Sequence, residues 1–232
     1  MKILLVTGIF PPDIGGPATY SDLLRRELAA RGFFVQVLTY SVQPFKAPIF
    51  YVNKKWPKGL RHFLFFIKLF YLALGKDLIL AVDASTGSGF IAAIVAKILH
   101  KKFIVRVTGD YAWEQGVARF HVEELLDDFR PLKDFKKYSF AVWCLAKLQA
   151  WTVRSADVVI APSEYLKKIT MRWGVAENKI KVIYNGSKLP NVAETKLELR
   201  KQFNFDGPTI ISVGRLVPWK GFDVLIEAFV EV

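Results

Sequence analysis

Four segments of this chain combine residue types that can do chemistry. The first is Thr108-Gly109-Asp110-Tyr111-Ala112-Trp113-Glu114, which follows a short apolar run. A carboxylate beside aromatic rings can hold a sugar, because the acid accepts hydroxyl hydrogen bonds while the rings cover apolar ring faces. Asp110 is therefore the candidate catalytic residue, with a surface loop packing its own aromatics as the competing use. The second is Phe10-Pro11-Pro12-Asp13-Ile14-Gly15-Gly16-Pro17, leading into a helical pattern. Paired glycines there let backbone N–H groups approach an anion, and the helix dipole favours negative charge. A tight turn needing positive φ would ask for the same two residues. The third, Asp83-Ala84-Ser85-Thr86-Gly87-Ser88-Gly89, is small and polar, and lines a cleft or simply joins a strand to a helix. In the fourth, Val213-Gly214-Arg215-Leu216-Val217-Pro218-Trp219-Lys220-Gly221, Arg215 and Lys220 flank a helix start and suit a diphosphate. Solvated charges are the alternative there.

Other chemistries leave no trace. The G-x-G-x-x-G spacing of dinucleotide sites is missing, and no acid follows the second strand to meet a ribose. There is no G-x-x-x-x-G-K-[ST] loop and no D-x-D pair. His62, His100 and His121 are scattered without ligand spacing, so no metal is expected.

These segments need a scaffold, and the hydrophobic pattern supplies one. Strands are expected at Ile3–Gly8, Phe33–Tyr40, Ile49–Asn53, Leu78–Asp83, Phe103–Thr108, Asp157–Ala161, Ile180–Tyr184 and Thr209–Val213. Most are apolar on both faces, as strands covered on both sides must be. Helical patterns lie between them at Ala18–Arg31, Leu60–Leu74, Gly89–His100, Tyr138–Arg154, Glu164–Trp173, Glu194–Phe203 and Phe222–Val230. Alternation of this kind predicts an α/β fold, a doubly wound parallel sheet. Ligands of such sheets bind outside the carboxyl ends of the strands, where the four segments fall. The turn-rich Asn204-Phe205-Asp206-Gly207-Pro208 marks a boundary. Residues 1–205 form one domain by this reading, and residues 206–232 open a second, incomplete one, since a single strand–helix unit cannot bury its own apolar faces.

Composition narrows the class. Of 232 residues 52% are hydrophobic and 14% aromatic, ample for a buried core and unlike a disordered tail. The single cysteine, Cys144, has no partner for an intrachain disulfide, which fits a reducing, cytoplasmic compartment. No secretory leader is legible, and the longest apolar stretch, Phe63 to Leu74, is interrupted by Lys68 and too short to span a bilayer. The net charge of +12 suggests an anionic partner or surface. Between Glu27 and Asp77 lie Arg31, Lys46, Lys54, Lys55, Lys58, Arg61, Lys68 and Lys76 with no acid. Lys54, Lys58, Arg61 and Lys68 fall near one helical stripe opposite a bulky apolar arc. That matches a helix on protein or at an anionic membrane surface better than a nucleic-acid site.

Taken in order, Phe10-Pro-Pro-Asp-Ile-Gly-Gly-Pro17, Ala161-Pro-Ser-Glu-Tyr-Leu166, Val182-Ile-Tyr-Asn-Gly186 and Ser212-Val-Gly-Arg-Leu-Val-Pro-Trp-Lys-Gly221 resemble family 4 glycosyltransferases of the GT-B fold. The resemblance implies a Rossmann-like acceptor-side domain followed by the start of a donor-binding domain. It implies transfer of a sugar from a nucleotide-sugar to a saccharide or lipid-linked acceptor, with retention, without metal and without a cofactor. By resemblance Gly15 and Gly16 lie near the donor phosphates, Arg215 and Lys220 bind the diphosphate, and Asn185 and Gly186 sit on the approach to the interdomain connection. Many relatives carry a histidine where Gly109-Asp110 stands here, and Asp110 is the candidate to take its place. The family's paired-glutamate donor motif is absent, so the chain is expected to be a fragment, inactive alone. The alternative is a non-catalytic module binding sugars or lipid headgroups.

Overall fold

The computed structural model describes residues 1–186 and 194–230. In chain order the first elements are β1 (Lys2–Val6), α1 (Gly16–Ala30), β2 (Phe34–Ser41), β3 (Ile49–Asn53), α2 (Lys58–Leu74), β4 (Leu78–Ala81) and α3 (Ser88–Ile98). Then come β5 (Lys102–Arg106), α4 (Tyr111–Arg119), α5 (Phe140–Arg154), β6 (Val158–Ala161), α6 (Glu164–Arg172), β7 (Ile180–Val182), α7 (Lys196–Gln202) and α8 (Phe222–Val230). The seven strands form one sheet in the order β3-β2-β1-β4-β5-β6-β7, and every pair is parallel. Strand order reverses at β1, whose neighbours are β2 and β4, and this switch point is where open α/β sheets take ligands.

Alternation along β1 shows why both faces are apolar. Leu4 and Val6 enter a core with Phe65 and Leu69 of α2, Ala92 and Val95 of α3, and Val153 of α5. Ile3 and Leu5 point the other way, to Tyr20, Leu24 and Leu28 of α1. A smaller cluster joins α4 to α5 through Ala112, Val122, Phe129, Tyr138, Val142 and Ala146.

The amino edge carries a repeated clasp. Asp77 accepts from the backbone N–H of Lys2 at 2.7 Å, and Asp157 accepts from that of Phe103 at 2.8 Å. In each case the aspartate's own N–H donates back to the same residue's carbonyl, at 2.9 Å.

Two expectations are corrected. Residues 111–119, where no helix was expected, form one: Asp110 accepts from the Trp113 N–H at 3.0 Å and caps α4. Thr209–Val213, read as a strand, has no strand pairing, because no neighbouring strand lies beside it among the described residues. Ile210 and Ile211 are accordingly exposed.

The chain divides into two compact units, Met1–Tyr184 and Asn185–Val232, so the division precedes the break expected near residue 205. Within the second unit, α7 is closed by a capping box between Thr195 and Glu198. Phe203 stacks on Phe205 there with ring centroids 6.0 Å apart.

Candidate functional site at the carboxyl edge

The exits of β1 and β4 are tied together at the switch point. Asp83, just past β4, accepts from the Gly8 N–H at 3.2 Å, the Ser85 N–H at 3.0 Å and the Ser88 hydroxyl at 3.1 Å. One carboxylate thus holds both loops and the first residue of α3. Gly89 presses α3 onto the same exit, for a Cβ there would lie 2.2 Å from the Asp83 carbonyl oxygen. The small-residue segment 83–89 is therefore a packing device at the edge of the crevice. Its composition left open a cleft lining or a plain strand-to-helix connection, and gave no sign of this packing.

Gly15 is the residue before α1 and Gly16 its first. Gly16 is exposed, and nothing lies within 4 Å of where its Cβ would be. A Cβ on Gly15 would meet Ile9 Cδ1 at 2.9 Å. No side chain caps α1, Pro17 has no N–H, and the Ala18 and Thr19 N–H groups donate to the Gly15 carbonyl at 3.0 and 3.1 Å, so the Gly15-Gly16 backbone is what the start of α1 offers an anion.

Asp110, the candidate catalytic residue, stands just before α4. Its side chain is buried, and besides Trp113 N–H it accepts from Gln149 Nε2 at 3.2 Å and from the Trp173 indole. Gln149 Oε1 in turn accepts from the Ala112 N–H at 3.1 Å. Burial pushes the Asp110 carboxyl above the usual carboxylate range, against the pull of these donors. The arrangement fixes the first turn of α4 immediately beyond β5. Glu114 lies on that turn, and a Cβ on Gly109 would meet its Oε1 at 2.8 Å.

The cations expected along α2 are mostly engaged by the protein itself. Lys54 pairs with Asp13 at 2.8 Å, and Arg61 donates to the Lys54 carbonyl at 3.1 Å. Lys68 donates to the Tyr51 carbonyl at 2.9 Å and lies against the Phe50 and Tyr51 rings. Lys55 and Lys58 remain exposed. What α2 presents outward is instead apolar: Leu60, Phe63, Ile67, Tyr71 and Leu74, with Trp56 just before it. Their spacing of three and four residues sets them on one stripe. No helix among the described residues is long and apolar enough to cross a membrane.

Asn185, Gly186, Arg215 and Lys220 all belong to the second unit and are exposed. Lys220 ends a short 3-10 turn at Pro218–Lys220, after which Gly221 takes a left-handed conformation with φ 63° before α8. Gly214 packs close to Phe222, and the Lys220 stem lies 4.0 Å from where a Cβ of Gly214 would be. Among the described residues no three His, Cys, Asp or Glu side chains are grouped to hold a metal ion.

Sequence reasoning missed Tyr40 and His62. Tyr40 OH lies 2.8 Å from His62 Nδ1 at this edge, a pairing across 22 residues that no local spacing reveals.

Comparison with known proteins agrees with this architecture. The sequence pattern of Glycosyltransferase Family 4 matches residues 14–189. The uncharacterized glycosyltransferase MJ1069 of Methanocaldococcus jannaschii is 22% identical over 252 residues, covering the whole chain and 60% of that protein. The crystal structure of Anabaena Alr3699/HepE in complex with UDP superposes with a TM-score of 0.65 at 19% identity, over all of this chain and 58% of that one. The apo lipopolysaccharide outer core galactosyltransferase WaaB gives 0.51 at 18% identity, over 83% of this chain and 48% of that one. This chain thus spans at most about three fifths of the length of these relatives. The parallel sheet with its switch point, the ordered motifs and a family match across most of the first unit lead to one conclusion: the chain belongs to glycosyltransferase family 4.

Proposed function

We propose that the chain serves glycosyl transfer from a nucleotide-sugar to a saccharide or lipid-linked acceptor, with retention and without a metal ion or cofactor. The observation that carries this reading is the family match over residues 14–189, on a parallel sheet whose strand order reverses at β1, just before Gly15 and Gly16. The UDP bound by Anabaena Alr3699/HepE supports a nucleotide donor. In the first unit the Gly15-Gly16 backbone is assigned to the donor phosphates, and in the second unit Arg215 and Lys220 are assigned to the diphosphate. These groups stabilise the charge that develops as the diphosphate leaves. Asn185 and Gly186 lead from the first unit to the second. Asp110 acts as a positioning residue, through the first turn of α4.

UDP is the probe for this reading. Arg215→Ala and Lys220→Ala are each expected to weaken UDP binding about tenfold, or about 1.4 kcal/mol, in isothermal titration calorimetry. UDP affinity untouched by both substitutions would remove these two cations from the donor site.

We further propose that this takes place in the cytoplasm, at the inner face of a membrane, with α2 against an anionic bilayer. The apolar stripe and the interfacial pair Trp56 and Tyr71 support this attachment, with Lys55 and Lys58 supplying the charge. Co-sedimentation with anionic vesicles at low salt is expected for the unaltered chain. Phe63→Asp should abolish it, whereas neutralising Lys55 and Lys58 should weaken it by up to about 1 kcal/mol per lysine. Equal binding by the Phe63→Asp variant would leave the stripe without a role at the bilayer.

A further inference from the structure

A phenol and an imidazole meet beside the switch point. Tyr40 is the last residue but one of β2, and His62 lies in the second turn of α2. Tyr40 OH sits 2.8 Å from His62 Nδ1, with the two rings edge-on at 5.7 Å. Phe65 stacks on the Tyr40 ring at 4.3 Å, and the Arg61 guanidinium lies 5.7 Å from its centroid. The phenol is thereby fixed within its packing. The loop after β4 closes a third side at Gly87, where a Cβ would stand 3.6 Å from His62 Cε1 and 4.0 Å from Tyr40 Cε2. Tyr40 is buried whereas His62 is half-buried, so the imidazole is the partner open to the edge.

The charged and titratable groups that act on this pair come from three elements. Arg61 and Lys58 belong to α2 itself, Tyr40 to β2, and Asp83 to the exit of β4. Burial, then Arg61 and Lys58, hold His62 below the ordinary imidazole range. Burial likewise keeps the Tyr40 hydroxyl protonated far above neutral pH. A protonated phenol and a neutral ring can share this bond in either direction, the phenol donating to a bare Nδ1 or accepting from an Nδ1–H. In the first arrangement Nδ1 accepts from Tyr40 and the proton of His62 resides on Nε2, the tautomer that the proposal below takes.

We propose that His62, oriented by Tyr40, is an acceptor-binding residue whose Nε2–H donates to a hydroxyl oxygen of a saccharide at the carboxyl edge. This rests on the glycosyl-transfer reading and assigns the acceptor contact within it. A neutral imidazole in a fixed orientation suits a hydroxyl, which it can align without drawing the proton away.

The chain has three histidines, so long-range 15N–1H spectra of the imidazoles can follow each one. The unliganded protein should show His62 as the Nε2–H tautomer at neutral pH. Titration with methyl α-D-glucopyranoside should shift the His62 signals saturably and leave His100 and His121 in place. Tyr40→Phe keeps the stack on Phe65 but should erase the tautomer preference and weaken glycoside binding about tenfold. His62→Phe should lose glycoside binding, read by isothermal titration calorimetry because the variant lacks the His62 signals. A Nδ1–H tautomer, or a glycoside that leaves His62 unmoved, would overturn the proposal. UDP added to the same samples separates the two readings. Shifts of the Gly15 and Gly16 amides without any glycoside response overturn the His62 contact alone, and silence toward both ligands overturns both.

Discussion

Gly89→Ala is expected to destabilise the first unit by about 3 kcal/mol, although it adds a single methyl group. The new carbon would sit 2.2 Å from the Asp83 carbonyl oxygen and 3.1 Å from Ala84 Cα. Both are backbone atoms at the end of a buried strand, so neither can swing aside as a side chain would. Relief requires α3 to retreat from the sheet, which opens the core that Ile91, Ala92 and Val95 fill. It also moves Asp83, which holds the loops after β1 and β4 together. Urea denaturation should show a lower midpoint for the variant, with near-UV circular dichroism reporting loosened aromatic packing. A midpoint equal to that of the unaltered protein would mean that the helix has room the geometry denies it.

The second large effect is expected at Asp110. Asp110→Ala removes the cap of α4 and leaves the Trp113 N–H, Gln149 Nε2 and the Trp173 indole without their acceptor. Losing a cap costs about 0.5–2 kcal/mol, and orphaning buried donors adds about 1–3 kcal/mol, so a loss of about 3 kcal/mol is expected. Its pH dependence has a definite sign. Burial raises the carboxyl's pKa in the folded protein, so between the ordinary and the raised value the unfolded chain gives up this proton first. Stability from this group is therefore fully present below the ordinary carboxylate value and falls as pH climbs through the raised one. Asp110→Asn keeps the shape and one acceptor oxygen, and should flatten that component of the curve. Urea midpoints measured from neutral pH into the carboxylate range check both points. A midpoint in Asp110→Ala equal to that of the unaltered chain would remove Asp110 from the scaffold of the edge.

Much of this architecture is legible in the residues because the sheet is built from runs such as Leu78-Ile79-Leu80-Ala81, which periodicity identifies directly. The same reading failed at α4, where Gly116 dilutes the pattern of a helix only nine residues long. Asp110 in front of Tyr111-Ala112-Trp113-Glu114 is nonetheless a recognisable N-cap signal. Thr209–Val213 has a strand's composition, but composition cannot provide a neighbour to pair with. The cations of residues 54–68 illustrate a different limit. Whether Lys54 faces solvent depends on Asp13, 41 residues away, and long lysine stems reach such partners without any mark in local spacing. For the same reason His62 looked isolated, since its partner is on another element. Gly15 and Gly16 were placed in a helix-start turn by their neighbours, with Pro17 just inside the helix.

The paired aspartates at the amino edge have a consequence for how errors would travel. Asp77 binds β4 to the first N–H of β1, and Asp157 binds β6 to that of Phe103 in β5. Each fixes the alignment of two neighbouring strands at the end remote from the ligand loops. A one-residue slip in a parallel pair advances one strand by about 3.3 Å and turns its side chains to the opposite face. At the far end, such a slip would carry Gly8 away from Asp83 by the same stride, and Val107 away from the exit of β6. These two carboxylates therefore act as alignment pins: placed at the back of the sheet, they set the spacing of the loops at its front.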